Sequence, residues 1–142
     1  MRRRHFTLEE ANDRLAWLQE TLAGVMPLRD GLAARQEELL ALLRDRRGNG
    51  ASSKEKEATE LQRTVDRVTQ QLQRRLREIS DNGIIVRDLG RWLVDFPSYR
   101  EGREVYLCWI RGEEQIGFWH ETNVGFDSRQ PLLGEEADGP PG

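Results

Sequence analysis

The chain has 142 residues, 37% of them hydrophobic and 33% charged, with a net charge of −3 at pH 7. That is enough for one domain with a modest core, and the balance of charge argues against a general nucleic-acid binder. One Cys excludes an intramolecular disulfide; with no apolar leader near Met1 and no membrane-length apolar run, the expectation is a soluble cytoplasmic protein.

The first element is predicted at Phe6-Thr7-Leu8-Glu9-Glu10. Thr7 is placed to cap the Glu10 N–H while the Glu10 side chain reaches back to the Thr7 N–H, a capping box. Leu8, Ala11, Leu15, Leu18, Leu22 and Val25 then recur at spacings of three and four, and Leu32, Leu39 and Leu43 resume the pattern after a slip at Arg29. Such a seam brings helices side by side. Gly24 and Pro27 predict a kink in a helix that continues to about Arg46, because an internal proline removes a hydrogen bond and clashes with the preceding turn. Arg47–Ser53 reads as a flexible turn. A second helix is expected from about Lys54 to Asp81, with its seam at Ala58, Leu61, Val65, Val68, Leu72, Leu76 and Ile79, and a stop at Asn82-Gly83. The two form an antiparallel, coiled-coil-like hairpin over residues 1–82. Leu28, Leu40 and Leu42 lie off the seam. They call for cover from the sheet or from a second copy of the chain, so a homodimer through the hairpin is expected.

After Asn82 the character changes. Residues 1–82 carry 16 basic and 14 acidic residues, whereas 83–142 carry 6 and 11, and eight of the ten aromatics follow Arg91. Four short strands are predicted, Ile84–Val86, Arg91–Phe96, Arg103–Ile110 and Gln115–His120, with Phe96-Pro97 ending the second because proline cannot donate to the ladder. The fold class is therefore α+β, the hairpin followed by a small antiparallel sheet over 83–133 packed on its base. Alternation places Trp92, Val94 and Phe96 on one side of their strand and Leu93 and Asp95 on the other. It separates Val105, Leu107 and Trp109 from Tyr106, Cys108 and Ile110, and Ile116, Phe118 and His120 from Gly117 and Trp119. Both faces thus carry large side chains and require cover, the second from a segment such as Gly125–Leu133 or from a partner. Residues 134–142, acidic and Pro/Gly-rich, read as a disordered tail.

Candidate chemistry gathers in the sheet. His120-Glu121 is the first pair: imidazole is a common metal ligand and titrates near neutrality, yet adjacent strand residues point to opposite faces. A metal on His120 would need further ligands from Asp95, Cys108, Asn123 or Asp127, and no His/Cys spacing resembles a zinc site, so neither a metal nor a cofactor is expected. Cys108 with His120 as base is the nucleophilic alternative to a buried, inert thiol. Asp95, inside an apolar strand, needs a cation, and Arg103 and Arg129 are the expected partners. The alternative is an Arg-lined pocket for a small anion, in which Gln130 joins them. Arg2-Arg3-Arg4-His5 and Arg74-Arg75…Arg77 are diluted by acidic neighbours and read as solvated surface, so nucleic-acid contact is not expected.

Several stretches together resemble a family of short bacterial and archaeal proteins known as domain-of-unknown-function family 2203. They are Phe6–Asn12, Val86-Arg87-Asp88, Leu93–Pro97, Gly102–Trp109, Phe118–Glu121, Gly125-Phe126 and Arg129–Leu132. The resemblance implies a long hairpin plus a small sheet and brings no activity with it. The chain departs from the pattern at Trp92, where a small residue, often Gly, is expected, and at Asn123, where Asp is expected. Function is expected to be that of a self-associating scaffold or protein-interaction module. The alternative is an enzyme or a small-ligand or metal-binding protein with its site near His120, Glu121, Asp95 and Arg129.

Overall fold

In a computed structural model of the chain, residues 3–45 and 51–132 are described. They divide into two compact units, one drawn from residues 1–20 and 78–142 and one from 21–77. The predicted acidic tail at 134–142 and the turn at Arg47–Gly50 lie outside the described residues.

The capping box forms as the sequence predicts. Glu10 N–H donates to Thr7 Oγ1 at 3.0 Å, and Thr7 N–H donates to Glu10 Oε1 at 2.8 Å. The Thr7 hydrogen bonds hold the Glu10 carboxyl below its ordinary range. The helix they start, α1, is short, Leu8–Asp13, and α2 follows at Leu15–Asp45. The break falls at Arg14, whose N–H bonds back to Ala11 at 3.1 Å, a tightened turn, and regular bonding resumes with Leu18 N–H to Arg14 at 2.9 Å. Beside this turn Asn12 Oδ1 accepts the Ile116 N–H at 2.9 Å.

Pro27, expected to disrupt the helix, lies inside α2, which is helical on both sides of it. The carbonyl deprived of its partner is that of Ala23, and Ala23, Gly24 and Pro27 are all exposed. A carbonyl on this exposed face is open to solvent, so the cost of the missing donor stays local. The third helix, α3, spans Ala51–Asp81, so it begins earlier than Lys54. Within the helical unit α2 and α3 pack together, with Leu22, Val25, Ala58 and Val65 buried. Leu40 and Leu43 remain 56% and 40% exposed. No described helix is long and apolar enough to cross a membrane.

The other unit holds a five-stranded antiparallel meander in chain order: β1 Ile85–Asp88, β2 Leu93–Arg100, β3 Arg103–Trp109, β4 Phe118–Glu121 and β5 Gln130–Pro131. The fold is α+β, with one more strand than expected. Strand β2 does not stop at Pro97. Beyond Asp95 the neighbouring β1 has ended, and the Pro97 carbonyl accepts the Phe6 N–H at 2.7 Å. Its own nitrogen therefore faces an edge position, where a missing donor leaves no ladder bond unmade. The strand then turns tightly through Glu101 (φ 52°) and Gly102 (φ 79°), with Arg100 opposite Arg103. Two consecutive positive φ values suit the right-handed twist of a hairpin.

Alternation sorts the faces as expected from the third strand onward and over Val94–Phe96. Val94, Phe96, Val105, Leu107, Trp109 and Trp119 form one buried apolar face. Phe6 meets Phe96 edge-on there, with ring centroids 5.3 Å apart. Trp92 departs from its predicted place on that strand face. It sits in the β1–β2 turn at φ 53°, with Arg111 4.2 Å above its ring and its buried Nε1 without a hydrogen-bond partner.

Candidate functional site

The second face of the sheet has a different character. Asp95 on β2 stands opposite Cys108 on β3, Cys108 stands opposite Phe118 on β4, and His120 stands opposite Tyr106. Asp95, Cys108 and His120 are therefore neighbours on one face, although they are far apart in sequence. All three are buried, with Asp95 and His120 each 2% exposed and Cys108 fully enclosed. Their ligating atoms lie within 4.8 Å of one another.

Each of the three side chains is held in place. His120 Nε2 is 3.0 Å from Asp95 Oδ1, and His120 Nδ1 is 2.9 Å from the Glu121 carbonyl. A carbonyl only accepts, so Nδ1 carries a proton. Arg87 Nε donates to the other carboxylate oxygen, Asp95 Oδ2, at 2.8 Å. Arg87 reaches it from an irregularity in β1, where the register shifts between Val86 and Asp88. Partial burial works against the Arg87 charge, but the hydrogen bond and charge of Asp95, with help from Tyr106, outweigh it and raise its pKa. The Cys108 thiol is pushed up to about 12, first by burial and then by the Asp95 charge, with Arg129 opposing.

Above this group lies a cavity of about 340 Å³. Asp95, Cys108 and His120 line it together with Arg87 and Leu93, and the run from Thr122 to Phe126 supplies the rest of its wall. The cover expected for this face from Gly125–Leu133 is thus partly an open chamber.

The other candidates go elsewhere. Glu121 turns from His120 to Arg103, which bonds it through Nε at 2.8 and 3.1 Å and through Nη2 at 2.9 Å. That hydrogen bond holds the Glu121 carboxyl low and the Arg103 guanidinium high. Arg129 pairs with Glu113 at 2.9 Å and lies 3.8 Å above the Phe118 ring. Asp95 therefore pairs with neither Arg103 nor Arg129, because the strand register gives each of those cations a different carboxylate. Gln130 is exposed on the edge strand, and Asp127 is exposed in a 3-10 turn, Phe126–Ser128, outside the cavity lining. Asn123 does line the cavity. Arg87 was not among the residues expected at the site. Strict alternation from Ile85, which pairs with Asp95, would put it on the same face, but only once the register is known.

The basic N-terminus is engaged within the chain. Arg3 donates to Tyr106 Oη at 2.9 Å, His5 contacts Glu104 at 2.7 Å, and Arg4 lies 4.5 Å above Phe6. Arg2 lies outside the described residues.

Residues 4–132 match a family model described as an uncharacterized conserved protein (DUF2203). No curated protein and no solved structure matches the chain.

Proposed function

The chain belongs to the DUF2203 family of uncharacterized conserved proteins, and we propose that it is a binding protein whose ligand sits in the cavity over Asp95, Cys108 and His120. The observation that carries this reading is a buried carboxylate, thiol and imidazole together on the floor of that cavity. Burying such groups is costly unless they are paired or used. The opposite face of the same sheet is filled with Val, Phe, Leu and Trp, so the strands are capable of an apolar solution. The volume is at the small end of ligand pockets, which run about 300–1,000 Å³, and it suits an ion or a ligand of few atoms.

Binding fits the geometry better than nucleophilic catalysis. Both His120 nitrogens are engaged, one by Asp95 and one by the Glu121 carbonyl, so neither is free to take the Cys108 proton. A thiol pushed up to about 12 is also the reverse of an activated nucleophile. A site built around a reduced thiol fits a cytoplasmic location.

Native mass spectrometry of the protein purified under reducing conditions tests the reading. The expected spectrum shows a bound ion or small molecule that is lost on denaturation. Gly125→Phe should abolish it. Gly125 lines the cavity, and a Cβ added there meets nothing within 4 Å, so the backbone accepts a large side chain at this wall position. Bare mass in the wild-type protein would remove the proposal.

A second reading concerns the helical unit. Leu40 and Leu43 are exposed three residues apart on α2, which supports self-association as a dimer through that helix. Leu40→Glu together with Leu43→Glu should then reduce the sedimenting mass to that of one chain. A wild-type protein that sediments as a monomer at high concentration would end this reading.

A further inference from the structure

We infer that Asp95, Cys108 and His120 form the ligand set of one divalent transition-metal ion of the zinc class, with the cavity supplying an open fourth position. The inference rests on reading the cavity as a binding site and names its occupant.

Distances come first. Tetrahedral zinc with bond lengths of about 2.0–2.3 Å holds its ligand atoms about 3.3–3.8 Å apart. The three donors here lie within 4.8 Å of one another, and the His120–Asp95 contact is 3.0 Å. Seating an ion thus requires one contact to widen by a few tenths of an ångström and the others to close by no more than about 1.5 Å, within the reach of side-chain rotation.

The supporting contacts match what a metal needs. Nδ1–H donating to the Glu121 carbonyl at 2.9 Å fixes the tautomer that offers Nε2 to an ion. Arg87 holds Asp95 by Oδ2 and leaves Oδ1 on the cluster side. Asp95 and His120 each therefore keep a supporting partner besides the contact they make with each other.

Charge balances as well. A dication held by one carboxylate, one thiolate and one neutral imidazole forms, with those three ligands, a unit of zero net charge, the thiol proton leaving to solvent on binding. A thiolate among the donors disfavours magnesium and calcium, which take oxygen ligands, and suits zinc. Three protein ligands beside a cavity resemble zinc sites that keep a position for water or substrate rather than closed structural ones.

Cobalt(II) is the probe. Full-length protein is stripped with a chelator under a non-thiol reductant and titrated with Co²⁺. The chain has one Cys, so a thiolate-to-cobalt charge-transfer band can arise from no other residue. The expected result is that band together with visible tetrahedral bands, saturating at one Co²⁺ per chain and abolished by competing Zn²⁺. In Cys108→Ala, with its folding checked by circular dichroism, the band should vanish and Zn²⁺ affinity should fall at least about tenfold. A wild-type protein that folds and gives no charge-transfer band overturns the inference, and this outcome does not depend on any variant. If native mass spectra of that protein still show a small molecule held in the cavity, the metal reading fails while the binding reading stands; if they show nothing, both fail.

Discussion

Replacing Asp95 by Ala in the metal-free protein tests the physical basis of the site. The carboxylate is 2% exposed and makes two contacts, to Arg87 at 2.8 Å and to His120 at 3.0 Å. The two partners respond differently to its loss. The Arg87 side chain is 44% exposed and can turn to water, so its share is under about 1 kcal/mol. His120 is 2% exposed and is left with a nitrogen that has no acceptor, which costs about 1–3 kcal/mol, or about 3–5 kcal/mol if the ring keeps its charge. A total of about 3 kcal/mol is expected, or a fall in Tm of about 6–12 °C for a chain of this size. Urea unfolding followed by Trp fluorescence, in the presence of a chelator, measures it. Asp95→Ala combined with His120→Ala should cost less than the sum of the two single changes by about 1–3 kcal/mol, since the second change removes the orphan created by the first. A loss below about 0.5 kcal/mol for Asp95→Ala, or strict additivity in the cycle, would refute the reasoning.

Three further outcomes are expected. The Cys108 thiol, raised from 9.0 to about 12 in the folded protein, keeps its proton while that of the unfolded chain ionises. Its contribution to stability is therefore complete below pH 9 and declines between pH 9 and 12, by roughly 1 kcal/mol per pH unit. The difference between wild type and Cys108→Ala in unfolding experiments across that range isolates it, and parallel curves would contradict it. Thr7→Ala removes the side-chain half of the capping box and should cost about 1 kcal/mol in thermal unfolding. Trp92 holds a left-handed φ of 53°, so Trp92→Gly should be more stable than Trp92→Ala by about 1 kcal/mol, the reverse of the order on an ordinary strand, because only glycine relieves the backbone strain.

The helical pattern was legible because it is local. Ala11, Leu15, Leu18, Leu22 and Val25, chosen by spacing alone, are all buried, whereas Leu8 of the same run is half-buried and Leu43, where the pattern was expected to resume, is exposed; a capping box depends on residues only three apart. The two prolines show where local rules run out. Pro27 and Pro97 each lack a donor, and the sequence alone marks each as a disruption. Each is tolerated because of where it lies, a solvent-exposed helix face for one and a sheet edge beyond the end of β1 for the other. The connection before Arg103 was expected, but its tightness was not, because Glu is not a usual left-handed residue and the strand runs on to pair Arg100 with Arg103, leaving only Glu101-Gly102 to turn. The fifth strand is two residues long, too short for any periodicity to register.

The site followed the same division. Alternation alone separated Asp95 from Val94 and Phe96, and Cys108 from Leu107 and Trp109, so the membership of the polar face was present in the sequence. What alternation lacks is register, the offset of one strand against the next. Register decides that Asp95 meets Cys108, His120 and Arg87 while Arg103 meets Glu121. The adjacency of His120 and Glu121 pointed the wrong way for the same reason, since neighbours on a strand diverge and only the Glu121 backbone carbonyl returns to the imidazole. One sheet thus carries two opposite solutions. Its apolar face adds to stability with every ring and methyl it buries. Its polar face encloses a carboxylate, an imidazole and a thiol beside a cavity, an arrangement that well-packed hydrophobic residues of similar volume would commonly match or improve upon for stability. Stability therefore does not explain the polar face; the proposed occupant, engaging all three groups at once, would.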